Sequence, residues 1–147
     1  MFKFVVRYLG FLKRVPFFAT FLEAWMMIYY SIANPRLSKA IDVIEHKVTS
    51  WQGVSVSLHR FGGIQFNHNG KEIGHIHSNG ILDILFSMKT KQQLLAEGYV
   101  DDHHVFPGSG WISFYIRSEE DVETAVRLLG LSLDKPKTLS AGIRQLQ

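Results

Sequence analysis

The chain contains no cysteine. That excludes disulfides, thiolate-bound metals and a cysteine nucleophile, and it fits a reducing, cytoplasmic setting. No acidic residue precedes Glu23, whereas Lys3, Arg7, Lys13 and Arg14 all fall before it. A net charge of +3 is too diffuse to form a nucleic-acid surface, and no nucleic-acid partner is expected. There is no phosphate-binding glycine loop, no dinucleotide fingerprint and no G-x-S-x-G elbow. Gly108-Ser109-Gly110 lacks the strand–turn–helix context of such an elbow and reads as a turn.

Of what is present, 46% is hydrophobic over 147 residues, which suggests one domain with a single core. Residues 2–14 have helical period, with Lys3, Arg7, Gly10 and Arg14 on one face, and Pro16 ends or kinks that element. Residues 17–33, FFATFLEAWMMIYYSIA, are strongly apolar and carry one charge, Glu23. The run falls short of the about 20 residues that span a bilayer, and its charge sits near the middle. Three readings stay open. The helix packs on its own domain or on a twin subunit as a homodimer. It lies on a membrane surface, helped by the basic segment before it. Or it spans the membrane. No small-residue cleavage site follows, so it is not read as a secretory signal. Residues 1–34 are therefore set apart from a domain over 35–133 and a tail over 134–147.

Within the domain, Asn34-Pro35 marks a helix start, and Leu37, Ala40, Ile41, Ile44, Val48 and Trp51 recur at helical spacing. Residues 54–59 alternate, with Val54, Val56 and Leu58 inward and Ser55, Ser57 and His59 outward. A helix over 88–97 follows a Ser87 cap and stops at Gly98, and residues 99–110 read as a loop. Trp111–Arg117 alternates as a strand. Ser118 to Asp121 reads as a capping box opening a helix over 119–129, with Gly130 at its end. The order predicts an α+β two-layer sandwich, an antiparallel sheet of about five strands with helices on one face.

The stretch Ile64–Phe86 holds two Asn-Gly dipeptides, Asn69-Gly70 and Asn79-Gly80. Each predicts a two-residue type I′ turn, and together they predict a meander of strands 63–68, 71–77 and 81–86. Two-residue loops then set the register. Phe66 opposes Ile73, His75 opposes Ile64 and Ile84, and His77 opposes Leu82. The core face becomes Ile64, Phe66, Ile73, His75, His77, Leu82, Ile84 and Phe86. Glu72 and Asp83 fall on the other face.

Two histidines side by side on a core face are the main chemical signal. At i and i+2 of a strand they lie about 6.5–7 Å apart and can ligate a metal, relay protons or hold a substrate. They can equally be satisfied core histidines. Asp83 and Glu72, placed on the opposite face, do not complete a 2-His-1-carboxylate iron site. His103 and His104 lie in the loop before the last strand, and His75, His77 and His104 form the better metal set. His59, Arg60 and His68 read as surface or turn residues, with Arg60 able to hold an anionic group. Trp111 and Tyr115 share a strand face and can stack on a ligand or cover a helix.

Phe61 to Leu131 resembles the luciferase-domain family of small, mostly bacterial proteins of unknown function. The likeness rests on Arg60-Phe61-Gly62-Gly63, Gly74-His75-Ile76-His77, Gly80 with Asp83, Gly98 followed by His103-His104, and Gly110-Trp111-Ile112-Ser113-Phe114-Tyr115-Ile116-Arg117 with the acidic helix after it. More distantly it resembles the fungal bioluminescence luciferases. Those enzymes oxygenate a hydroxylated styryl-pyrone without an obligatory metal or flavin and carry a membrane-associated N-terminal segment. The fungal proteins are much longer, and their hairpin after the second histidine is longer than Ser78-Asn79-Gly80, so light emission is not expected here. The resemblance implies a His-lined pocket for a planar, acidic small aromatic or lipid-like molecule. It implies an oxygenase-type reaction with His75, His77 or His104 as base, and Arg60, Asp83, His103, Trp111 and Tyr115 around the substrate. No cofactor is expected, with a metal on His75, His77 and His104 the lesser alternative. A non-catalytic binding module and a homodimeric, membrane-associated adaptor are the other readings.

Overall fold

The computed structural model describes residues 24, 25, 28, 29, 32–60, 62–103 and 105–133. The expectations for residues 2–14, for much of 17–31, for His104 and for the tail over 134–147 lie outside them.

The first complete helix, α1, spans Pro35–Thr49. The Asn34 side chain accepts from the Leu37 amide at 3.2 Å, and Pro35 stands where a helix has no use for an N–H. Its buried stripe is Leu37, Ala40, Ile41, Ile44 and Val48. Helix α2, Met88–Glu97, begins on Ser87 and ends on Gly98 in the left-handed conformation, as its sequence predicts. Ser118 and Asp121 form the expected capping box around a 3-10 turn, Glu119–Asp121, and α3 follows over Val122–Leu133. Gly130 does not stop α3: it lies inside the helix, facing Trp51.

Six antiparallel strands run in the order β1-β2-β3-β4-β6-β5. They are Val54–Leu58, Ile64–His68, Lys71–Ile76, Ile81–Leu85, Asp101–Asp102 and Trp111–Tyr115, numbered in chain order. The short β5 lies within the stretch expected to be only a loop, and makes one strand more than predicted. Helices α1 and α3 pack on one face. The α+β sandwich is therefore present as expected.

The register differs from the expected one, for two local reasons. Asn69-Gly70 does form the two-residue turn, with φ of 50° and 77°. The pairing then slips between Asn67↔Glu72 and Phe66↔Gly74, leaving Ile73 as the extra residue of a β-bulge. Asn79-Gly80 does not form a two-residue turn. His77 pairs with Ile81, and the Gly80 amide donates to the His77 carbonyl, so the loop has three residues with Gly80 at φ 85°. Both changes move β3 by one residue against its neighbours. Ile76 opposes Ile64 and Leu82, and His75 opposes Gln65 and Asp83. The helix-facing set is Phe66, Gly74, Ile76, Leu82, Ile84, Ile112 and Phe114. His75 and His77 are not on it, contrary to expectation.

This phase is the cheaper one. It replaces two imidazoles under α3 with Gly74 and Ile76. A Cβ at Gly74 would lie 2.7 Å from the Asp83 carbonyl oxygen and 3.1 Å from Leu129 Cδ2, so the glycine lets α3 approach the sheet. Burying imidazoles there would have demanded partners for four ring nitrogens. At the edge of the sheet, Leu58 was expected inward but is 66% exposed.

The N-terminal residues that are described are helical, and Trp25, Ile28, Tyr29 and Ile32 present an exposed apolar row. Among the described residues no helix is long and apolar enough to cross a membrane.

Candidate functional site

The sheet face opposite α1 and α3 carries a polar row that runs straight across it. Ser57 opposes Gln65, Gln65 opposes His75, His75 opposes Asp83, Asp83 opposes Ser113 and Ser113 opposes Asp101. On one side of this row, the ends of β1 and β3 bring His59 and His77. On the other, β3 and β6 bring Glu72 and Trp111. His59, His75, Asp83 and His103 are buried on this face, and His77 is half-buried.

Asp83 is the centre. It is 1% exposed. Its Oδ1 accepts from Ser113 Oγ at 2.5 Å. Its Oδ2 makes no hydrogen bond. Three imidazole nitrogens stand around that oxygen: His75 Nε2 at 3.5 Å, His103 Nε2 at 3.5 Å and His77 Nε2 at 3.8 Å. These separations are too long for hydrogen bonds, which run at about 2.7–3.2 Å.

His75 lies between two carboxylates. Its Nδ1 is 2.7 Å from Glu72 Oε1, and its Nε2 faces Asp83. Burial disfavours its charged form, but the polar contact with Asp83, the Glu72 hydrogen bond and the charges of both carboxylates outweigh burial and raise its pKa above the ordinary value. Burial likewise works against the Asp83 carboxylate. The polar contact with His75 and the Ser113 hydrogen bond, with the charges of His103 and His75, more than compensate and lower its pKa. His59 stacks on His75, with ring centroids 3.8 Å apart and planes 10° from parallel. Burial first, and then the charge on His75, lower the pKa of His59, although Glu72 lies 3.8 Å from its Nε2. Two stacked imidazoles are thus pushed in opposite directions.

The tautomer of His103 follows from its loop. Its Nδ1 accepts from the backbone amides of Val105, at 3.1 Å, and Phe106, at 3.0 Å. The proton therefore stays on Nε2, which faces Asp83 as a donor. Buried Lys91 holds this loop by donating to the Asp102 carboxylate and to the Ser109 carbonyl, the latter at 2.7 Å.

Of the residues singled out in the sequence, the structure brings together His75, His77, Asp83, His103 and Trp111. The Trp111 ring lies 5.4 Å from that of His75. Tyr115 shares the face but opposes Ile81, at the far end of β6 from Trp111, and is exposed. Arg60 is exposed in the turn after His59. His104 is not among the described residues. Three readings are corrected. Asp83 and Glu72 do not lie on the face opposite the histidines, because the bulge and the longer loop put all four together. His59 is not a surface residue, but closes over His75. Ser113 was missed as well. The signal for His59 lay in the alternation Ser55, Ser57, His59, which placed it on a polar face that only the correct register identifies as the site.

His59, His75 and His77 are close enough that one ligand atom from each lies within 4.8 Å of the others, so metal binding is sterically open. The family model described as Luciferase domain matches residues 70–132. No curated protein and no solved structure matches the chain. The matched segment holds Glu72, His75, His77, Asp83, His103, Trp111 and Ser113, and leaves His59 just before it. Over the segment from the β2–β3 turn to the end of α3, the chain is similar to the luciferase-domain family.

Proposed function

We propose that the sheet face opposite α1 and α3 binds a planar small molecule with an acidic, enol-type hydroxyl, removes its proton and lets the enolate react with dioxygen. The observation that carries this reading is the stacked His59–His75 pair, 3.8 Å apart, whose pKa values are shifted in opposite directions. Neighbouring titratable groups whose environments push their pKa values apart are suited to opposite acid–base roles. His59 is the base, and the charge on His75 stabilises the enolate. The Trp111 ring offers a flat wall for a conjugated substrate.

In this scheme His59 takes the hydroxyl proton. The enolate carbon then bonds to dioxygen, losing two electrons as dioxygen falls to the peroxide level, and the proton on His59 returns to the peroxide. The luciferase-domain likeness supports dioxygen as the co-reactant. Asp83, Ser113 and His103 keep the imidazoles oriented.

Hydroxylated pyrones and related enols supply the test. Binding should red-shift their absorbance as the enolate forms, and oxygen should be consumed. His59→Gln, folded by circular dichroism, should abolish both. Retention of both signals by that variant would overturn the assignment. Ligand binding without oxygen uptake would favour a non-catalytic binding module.

The exposed row Trp25, Ile28, Tyr29 and Ile32, following Lys3, Arg7, Lys13 and Arg14, favours a second reading, in which residues 1–33 lie on an anionic membrane surface. Co-sedimentation with phosphatidylserine vesicles that weakens at high salt is expected. A salt-insensitive dimer that ignores vesicles would point to a twin subunit instead.

A further inference from the structure

We propose that His75 Nε2, His77 Nε2 and Asp83 Oδ2 form a binding site for one divalent first-row transition-metal ion, with Glu72 as the partner that orients His75. The inference goes beyond the reading above: with an ion bound, His75 is neutral and the charge of the metal takes the place of the charge on His75. Its test uses metal alone, so the two can fail separately.

The first support is the unpartnered oxygen. Asp83 is almost fully buried, and its Oδ2 makes no hydrogen bond while imidazole nitrogens stand 3.5–3.8 Å away. A buried carboxylate oxygen left this way is costly. Two donors each about 2.1 Å from one ion, at a tetrahedral angle, lie roughly 3.4 Å apart. The observed spacings are therefore close to those of ligands around a common centre and wrong for direct hydrogen bonds.

Ring orientation supplies the second support. The rings of His75 and His77 are nearly perpendicular, at 86°, with centroids 5.0 Å apart, so in-plane lone pairs can converge. His59 fails this condition against His75. Its ring lies parallel at 3.8 Å, so a shared ion would sit about half that distance out of each ring plane, away from both lone pairs. His103 fails for another reason. Its Nδ1 is occupied by two backbone N–H donors, which leaves the proton on Nε2 and no lone pair there for a metal. Of the imidazoles around Asp83, His75 and His77 are the two that can ligate.

The third support is Glu72. At 2.7 Å it accepts from His75 Nδ1, which leaves Nε2 with a free lone pair when the ring is neutral. A carboxylate behind a ligating imidazole fixes its tautomer and raises its basicity. Two imidazoles and one carboxylate leave open positions on the ion, where a substrate oxygen can bind.

The test is titration of the chelator-stripped full chain with cobalt(II). Visible d–d bands that saturate at one ion per chain are expected. His77→Ala should abolish them, and Asp83→Asn should do so where it folds. Glu72→Gln should weaken binding about 10- to 100-fold. Pulsed electron paramagnetic resonance of the copper(II) form should count two coupled imidazoles. Absence of saturable binding would overturn the proposal. So would binding that survives His77→Ala, which would locate the ion elsewhere, or a count of three imidazoles, which would replace Asp83 by a third histidine.

Discussion

His75 Nδ1 lies 2.7 Å from Glu72 Oε1, although the two residues are three positions apart on one strand. In a regular strand such residues point to opposite faces. The Ile73 bulge absorbs one residue and turns both side chains to the same side. The contact is the local reason that an imidazole can be held buried on the sheet face opposite α1 and α3.

That contact predicts a pH effect in the metal-free protein. The pKa of His75 is raised, so its contribution to stability is fully present below about 6.5 and is lost as pH rises through its folded value. Glu72→Gln should reduce the shift and flatten stability against pH in that window. Proton NMR titration of the imidazoles should find His75 protonating at higher pH than His59. The reverse order would contradict the base assignment.

Ser113→Ala removes the hydroxyl that donates to Asp83 Oδ1, and both residues are fully buried. Leaving that oxygen unsatisfied should cost about 1–3 kcal/mol in urea denaturation at pH 7. Because Ser113 helps to hold the Asp83 pKa down, the stability contributed by ionised Asp83 should be smaller in the variant, and its loss on acidification should be complete at a higher pH.

Gly74→Ala places a Cβ 2.7 Å from the Asp83 carbonyl oxygen, which belongs to backbone and cannot swing away. A destabilisation of about 1–3 kcal/mol is expected. Gly70→Ala meets no neighbouring atom within 4 Å, but its φ of 77° strains an alanine, so its cost should be smaller. Equal losses in thermal denaturation would show that α3 does not press on the sheet at Gly74.

Lys91→Met removes the buried ammonium that ties α2 to Asp102 and the Ser109 carbonyl. Hydrogen exchange should quicken at the Val105 and Phe106 amides, which hold His103, while the amides of β2 and β3 stay protected.

Much of the fold was legible because it rests on short-range chemistry. Asn34, Ser87 and Ser118 announced their helices by side chains that can reach backbone amides a few residues on. Ile112 and Phe114 declared their face by simple alternation, and His75 and His77 stood out because imidazoles are unusual in an apolar meander. The register around the site differs at two steps, the Ile73 bulge and the loop at Asn79-Gly80. Asn79-Gly80 looks like Asn69-Gly70, and nothing within four residues distinguishes a two-residue turn from a three-residue loop there.

The sequence by itself determined the α+β class, the ends of α1 and α2, the Asn69-Gly70 turn and the presence of two neighbouring histidines in the meander. Only the tertiary structure decided which face those histidines occupy and what stands beside them. Strand alternation has a period of two, so one bulge residue inverts every later side chain. Whether a bulge forms is settled by what the whole strand then buries. Here Gly74 under Leu129 and Ile76 in the core outweigh a regular ladder. The same inversion carries His75 to Asp83, Glu72 and His59, which the sequence had kept apart.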